Sequence, residues 1–201
     1  MPAIGPGRAV SRSEPIPAPD FVQAQEALAE IERAVADRMA ALPLQGADLP
    51  AMAAVQGIYR AATAIRYHLE RVVLAPHDLT WTGWVVLWVV WVWDELETRH
   101  VAAHAGISKG TLTGVVKTLA ARGLVHRRAH PDDGRRVLLS LTPEARELMT
   151  TLFPRFNEEE AFVVGWLDDA ESTALTGALR KVVARVQGTR PAVEIPGADP
   201  G

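Results

Sequence analysis

The chain contains no cysteine. That absence excludes disulfides, thiolate metal sites, a thiol nucleophile and thiol redox sensing, and it fits a reducing compartment. No early segment joins a basic start to an apolar core, so no secretory signal is expected. The longest apolar run, residues 84–93, stops at Asp94 and Glu95. It is about half the roughly 20 residues that a membrane span requires, so a soluble, cytoplasmic protein with no membrane partner is expected. Catalytic patterns are missing as well. There is no nucleophile elbow or phosphate loop, Asp132 and Asp133 are adjacent rather than facing, and Asp168 and Asp169 stand where acids favour a helix start. His100 and His104 are four apart on one predicted helix, but without cysteines or nearby acids they make a thin metal site. The expectation is no enzyme, no catalytic residue, no cofactor and no metal.

What is present describes an ordinary globular chain. Its 201 residues are 48% apolar and 22% charged, enough to bury a core unaided. The net charge of −3 hides an uneven distribution. Between residues 98 and 136 stand eight basic residues (Arg99, Lys109, Lys117, Arg122, Arg127, Arg128, Arg135 and Arg136) against Asp132 and Asp133, a local charge of +6. The remainder carries 13 basic and 22 acidic residues. A basic island in an acidic body points to a polyanion-binding module.

Residues 1–19 and 188–201 lack an apolar period and read as disordered tails. Phe21, Leu28, Ile31, Val35 and Leu42 line one face of a helix that Pro43 stops. Residues 46–50 read as a linker. A second helix is expected over 51–74, with Met52, Val55, Tyr59, Ala62, Leu69 and Val73 as a stripe that Arg66 interrupts. The valines of residues 80–93 favour a strand by propensity. Trp81, Trp84, Trp88 and Trp91, however, recur at i, i+3, i+7 and i+10, which favours a helix buried nearly all round.

Two short helices follow, over 99–105 and 109–122, joined by Gly106-Ile107-Ser108. The glycine supplies a positive φ and Ser108 caps the second helix. Leu112, Val115, Val116 and Leu119 form that helix's inner face. The runs 124–128 and 136–141 are β-prone, and the turn-rich residues 129–135 join them as a hairpin. Thr142 and Pro143 open another helix, which Pro154 ends or kinks, and residues 169–186 form the last.

Helix, turn, helix and basic hairpin, in that order, make a winged helix-turn-helix. The second helix fits a major groove and the wing reaches the flanking minor groove. Ser108, Lys109, Thr111, Thr113 and Lys117 occupy the exposed side of that helix, and Arg135 and Arg136 the wing. A different reading of the same pattern is a winged-helix protein-interaction module that does not bind DNA, with the Trp-rich helix as its docking surface.

The residues Leu79-Thr80, Val101-Ala102, Gly106-Ile107-Ser108 and the run from Leu119 to Val125 carry a resemblance to the MarR family of bacterial transcription regulators. The run from Asp132 to Thr142 resembles the family's wing signature. The likeness is strongest over residues 79–145, and residues 21–42 look like a helix added in some members. It implies a mainly α fold with a small β-hairpin wing. Helices at 20–75 and 143–187 would dimerise, and a DNA-binding domain would span 76–142. It further implies a homodimeric repressor on a palindromic operator in double-stranded DNA, with Asp133 bracing Arg135 for the minor groove. Many relatives release DNA when a small aromatic acid or phenol enters a cleft. Tyr59, Arg66, His68, Trp84, Trp88 and Trp91 are the candidate lining here, with Arg66 placed to hold a carboxylate. The tryptophans have a second reading as core or dimer-interface packing. Val85 stands where the urate-responsive branch has an Asp, so no urate response is expected.

Overall fold

The computed structural model describes residues 18–44 and 46–188. The expected tails, beyond residues 18, 19 and 188, lie outside the described residues. The chain divides at Ala64/Ile65 into two compact units.

The first unit holds α1 (Ala18–Ala40) and most of α2 (Leu49–Leu69). Asp48 Oδ1 accepts from the Ala51 N–H at 2.9 Å, so Pro50 lies inside the first turn of α2 rather than in the linker. Arg60 pairs with Glu32. The apolar stripe of α1, including Leu28, Ile31 and Val35, is exposed.

The second unit contains every buried apolar residue among those described. This unit takes in the end of the second helix for a packing reason. Leu69, Val73 and Leu74 at the end of the second helix are buried with the residues that follow them. That end is not a plain α-helix. It widens to a π turn at Glu70–Leu74 and tightens to a 3₁₀ turn at Ala75–His77, which Asp78 closes at φ 52°.

The valine-rich run is helical. α3 (Trp81–Trp93) starts at Thr80, whose Oγ1 accepts from the Gly83 N–H at 3.1 Å, while Glu70 accepts from the Trp81 N–H at 2.7 Å. Gly83, Trp84, Val86, Leu87, Val89 and Val90 are buried, whereas Trp88 and Val92 are exposed. Burial is therefore less complete than the run suggests. Propensity for strand loses because α3 packs against α4, α5, α6 and β3, and a helix buries its side chains on all those sides at once.

Beyond α3 come β1 (Glu95–Glu97), α4 (Thr98–His104), α5 (Lys109–Ala121), β2 (Val125–His130) and β3 (Asp133–Leu141). The sheet has the antiparallel order β1-β3-β2, so the expected hairpin carries a third strand. Leu96 pairs with Leu139 and Arg128 with Leu138. The hairpin is also tighter than the 129–135 loop expected. Strand pairing reaches His130 and Asp133 across a bulge at Ala129/His130, leaving Pro131 and Asp132 as the turn.

α6 (Pro143–Val164) is capped by Thr142, which accepts from the Ala145 N–H at 3.1 Å and donates to the Gly123 carbonyl at 2.8 Å. α6 continues through Pro154 to Val164. Met149, Leu152 and Phe156 on its inner face are buried, and that packing holds the helix across the proline. α7 (Asp169–Gln187) opens with a reciprocal capping box between Asp168 and Glu171.

Candidate nucleic-acid interface

The interface is built from α5 and the wing. Gly106 adopts φ 65°, which turns the chain between α4 and α5, and Ser108 Oγ accepts from the Thr111 N–H at 3.0 Å. With Leu112, Val116 and Leu119 buried, helical geometry turns Lys109, Thr113 and Lys117 outward at four-residue intervals. Ser108, Lys109, Thr111, Thr113 and Lys117 are all exposed. The Thr111 and Ser108 hydroxyls meet at 2.8 Å, and Thr113 donates to the Lys109 carbonyl at 2.9 Å. Gly123, at φ 68°, ends α5 and turns the chain into β2.

The wing closes one side. Asp133 Oδ1 accepts from the backbone N–H of Arg135 at 3.0 Å, so the aspartate shapes the backbone under the arginine rather than holding its guanidinium. Arg135 is exposed. Between α5 and the wing lies a cleft of about 400 Å³, lined by Lys109 and Thr113 from the helix, Arg127, Arg135 and Arg136 from the hairpin, and Arg99 and Glu97.

Arg136 has a different setting from its neighbour. It is half-buried and pairs with Glu97, whose side chain is only 9% exposed; its Nε is buried without a hydrogen-bond partner. Glu97 also binds Arg99 Nε at 3.1 Å, and it stands at the N-cap of α4 without capping it. Glu95 takes Arg128 in a two-point contact, Nε to Oε1 at 2.7 Å. The hydrogen bond from Arg128 holds the Glu95 carboxyl below its ordinary value, and the same bond raises Arg128. At the far end of α5, Arg122 donates to the carbonyls of Asp78 at 2.5 Å and His77 at 2.8 Å, tying the helix to the turn before α3. Lys109, Lys117, Arg127 and Arg135 have no ion pair among the described residues.

Sequence reasoning missed Glu95 and Glu97. Their signal was the alternation Glu95-Leu96-Glu97, a period-two pattern with the acids on one side and a buried leucine on the other.

The candidate ligand residues are only partly brought together. Trp84 and Trp88 line a cavity of about 320 Å³ with Trp81, Val85, Phe153, Phe156 and Glu160. Trp84 stacks on Phe156, with ring centroids 4.4 Å apart. Trp91 tilts against Phe153 at 5.4 Å. His68 stacks on Phe162 and meets Glu159 at 2.7 Å. The Arg66 guanidinium sits 4.9 Å over the ring of Tyr67, outside the lining of that cavity. Tyr59 belongs to the first unit and is 70% exposed. His104 tilts against Trp93, with its Nε2 buried and without a hydrogen-bond partner. Among the described residues no group of three or more His, Asp or Glu could hold a metal ion, and no helix is long and apolar enough to cross a membrane.

A capped helix presented beside a basic two-stranded wing defines a winged helix-turn-helix DNA-binding lobe. The family model described as the MarR family matches residues 79–137. YwaE of Bacillus subtilis, described as an uncharacterized HTH-type transcriptional regulator, is 32% identical over 148 residues, covering 74% of this chain and 86% of that protein. Among solved structures, BpsR of Bordetella bronchiseptica is 27% identical with a TM-score of 0.59, covering 64% of this chain and 97% of that one. Its DNA binding is described as regulated by 6-hydroxynicotinic acid. AbsC of Streptomyces coelicolor, a MarR family regulator, shares the fold at a TM-score of 0.64 and 20% identity, over 69% of this chain and 95% of its own. The chain belongs to the MarR family of DNA-binding transcriptional regulators.

Proposed function

We propose that the protein acts in the cytoplasm as a homodimeric repressor that binds a palindromic operator and leaves it when a small aromatic ligand is bound. The observation that carries the DNA-binding geometry is the cleft in which Lys109 and Thr113 of α5 face Arg135 of the wing. In this reading Ser108, Lys109, Thr111, Thr113 and Lys117 enter the major groove. Arg135 enters the adjacent minor groove on a backbone shaped by Asp133. Arg136 holds the wing to Glu97.

Dimerisation is supported by the apolar surface of the helices outside the lobe. Leu28, Ile31 and Val35 on α1, and Leu175, Leu179, Val182 and Val183 on α7, are each 37% exposed or more in the single chain. A twofold dimer reads a palindrome because its two recognition helices are related by the same symmetry as the half-sites. The regulated DNA binding of BpsR supports a small-molecule effector.

The test is a titration of purified protein against the intergenic DNA upstream of its own gene, at two salt concentrations, with random DNA as competitor. Tight, salt-sensitive and competitor-resistant binding is expected. Binding no tighter than to random DNA would overturn the operator assignment, and a monomer by sedimentation at micromolar concentration would overturn the dimer.

A further inference from the structure

We propose that the aromatic cavity between α3 and α6 takes a small aromatic cation, an aryl or benzyl ammonium, rather than an aromatic acid. This inference rests on the effector reading above and names the ligand's charge.

The lining decides the sign. Trp84 and Trp88 from α3, and Phe153 and Phe156 from α6, surround a space of about 320 Å³, near the lower end of the range for small-ligand sites. Aromatic faces carry negative quadrupoles and attract a cation, indoles most strongly. Among the described residues the only ionisable group in the lining is Glu160, with no Lys, Arg or His there. Glu160 accepts from the neutral amide of Asn157 at 3.0 Å, which leaves its charge uncompensated by that contact. Its neighbour Glu159 is engaged by His68. The arginine expected to hold a carboxylate, Arg66, lies instead over Tyr67. An acid entering this cavity would meet a carboxylate and indole faces, both unfavourable to it. An ammonium would meet both favourably, with its ring stacked among the aromatic walls.

The cavity has a physical route to the DNA-binding lobe. Its α3 wall packs on α5 on another side, so a ligand that fits one placement of α3 better than another shifts the population of the recognition helix.

The experiment uses three monosubstituted benzenes: phenyltrimethylammonium, its neutral isostere tert-butylbenzene, and the smaller anion benzoate. Binding to the full chain is followed by indole fluorescence and ligand-observed NMR, and operator affinity is measured in parallel. The cation is expected to bind about tenfold more tightly than either of the others, on the scale of a partly desolvated cation–π contact. Glu160→Gln should weaken the cation by about two- to threefold, the share of an exposed carboxylate, and leave tert-butylbenzene unchanged. Trp88→Ala, at a position 39% exposed and therefore tolerant, should weaken the cation as well. Benzoate binding best, equal binding of all three, no binding of any at millimolar concentration, or a Glu160→Gln protein that keeps full cation affinity would each overturn the inference. Preferred cation binding with unchanged operator affinity would support the site and overturn the effector reading. Benzoate binding with operator release would do the reverse.

Discussion

The outer face of α5 and the flank of β1 belong to one lobe and draw on the same basic segment, yet they treat their charges differently. Lys109 and Lys117 on α5, with Arg127 and Arg135 on the hairpin, carry no ion pair among the described residues. Along β1, Glu97 holds Arg99 and Arg136 while Glu95 holds Arg128. Arg122 is spent on two backbone carbonyls. Half of the eight basic residues are therefore structural. A local charge count overstates what a phosphate backbone can recruit, because each paired arginine has already exchanged its counterion for a carboxylate.

The largest expected effect comes from removing the acid that makes the difference. Glu97→Ala should cost about 3 kcal/mol of unfolding free energy, because it leaves the half-buried Arg136 without its partner. It should also steepen the salt dependence of DNA binding by up to about two phosphate equivalents as Arg99 and Arg136 are released. An unchanged melting temperature together with an unchanged salt slope would erase the contrast between the two regions.

Adjacent arginines sharpen it further. Arg135→Ala should weaken operator binding by about 1–2 kcal/mol, the scale of a groove contact, with thermal stability unaltered. Arg136→Ala should instead lower the melting temperature. Electrophoretic mobility shift and thermal denaturation on both variants would separate the roles, and identical profiles would show that the wing does not distinguish them.

The smallest effect is a pH dependence. Arg128 holds the Glu95 carboxyl below its ordinary 4.5, so the folded chain binds that proton less readily than the unfolded chain. The resulting stabilisation is present above about 4.5 and is lost as pH falls through the lowered value. Glu95→Gln should therefore flatten the decline in melting temperature below that point and change little at neutral pH. Because the pair is exposed, the difference should be small. An identical acid decline in both proteins would remove Glu95 from the account.

Much of the fold was legible from local signals. The tryptophan spacing of α3 identified a helix against the propensity of its valines, and Gly106, Ser108, Gly123 and Thr142 marked the ends of α4, α5 and α6. Of the two outcomes Pro154 allowed, termination is the one α6 does not take, because its buried face outweighs the hydrogen bond that proline removes. The third strand was hidden because Glu95–Glu97 is three residues long and gains strand geometry only by pairing with β3. For the candidate site, exposure on α5 followed from the burial period. The partners of the arginines did not, and neither did the separation of Arg66 from the tryptophans.

By itself the sequence determined the order of helices, turn and wing, the inner face of α5 and the basic island, since periodicity, caps and positive-φ glycines act within a few residues. Only the tertiary structure decided which charges remain available and what sign the aromatic cavity presents. Those outcomes depend on pairs such as Arg128 with Glu95, 33 residues apart, and Arg136 with Glu97, 39 apart. Electrostatic energy is set by distance and burial in space, and separation along the chain carries no information about either.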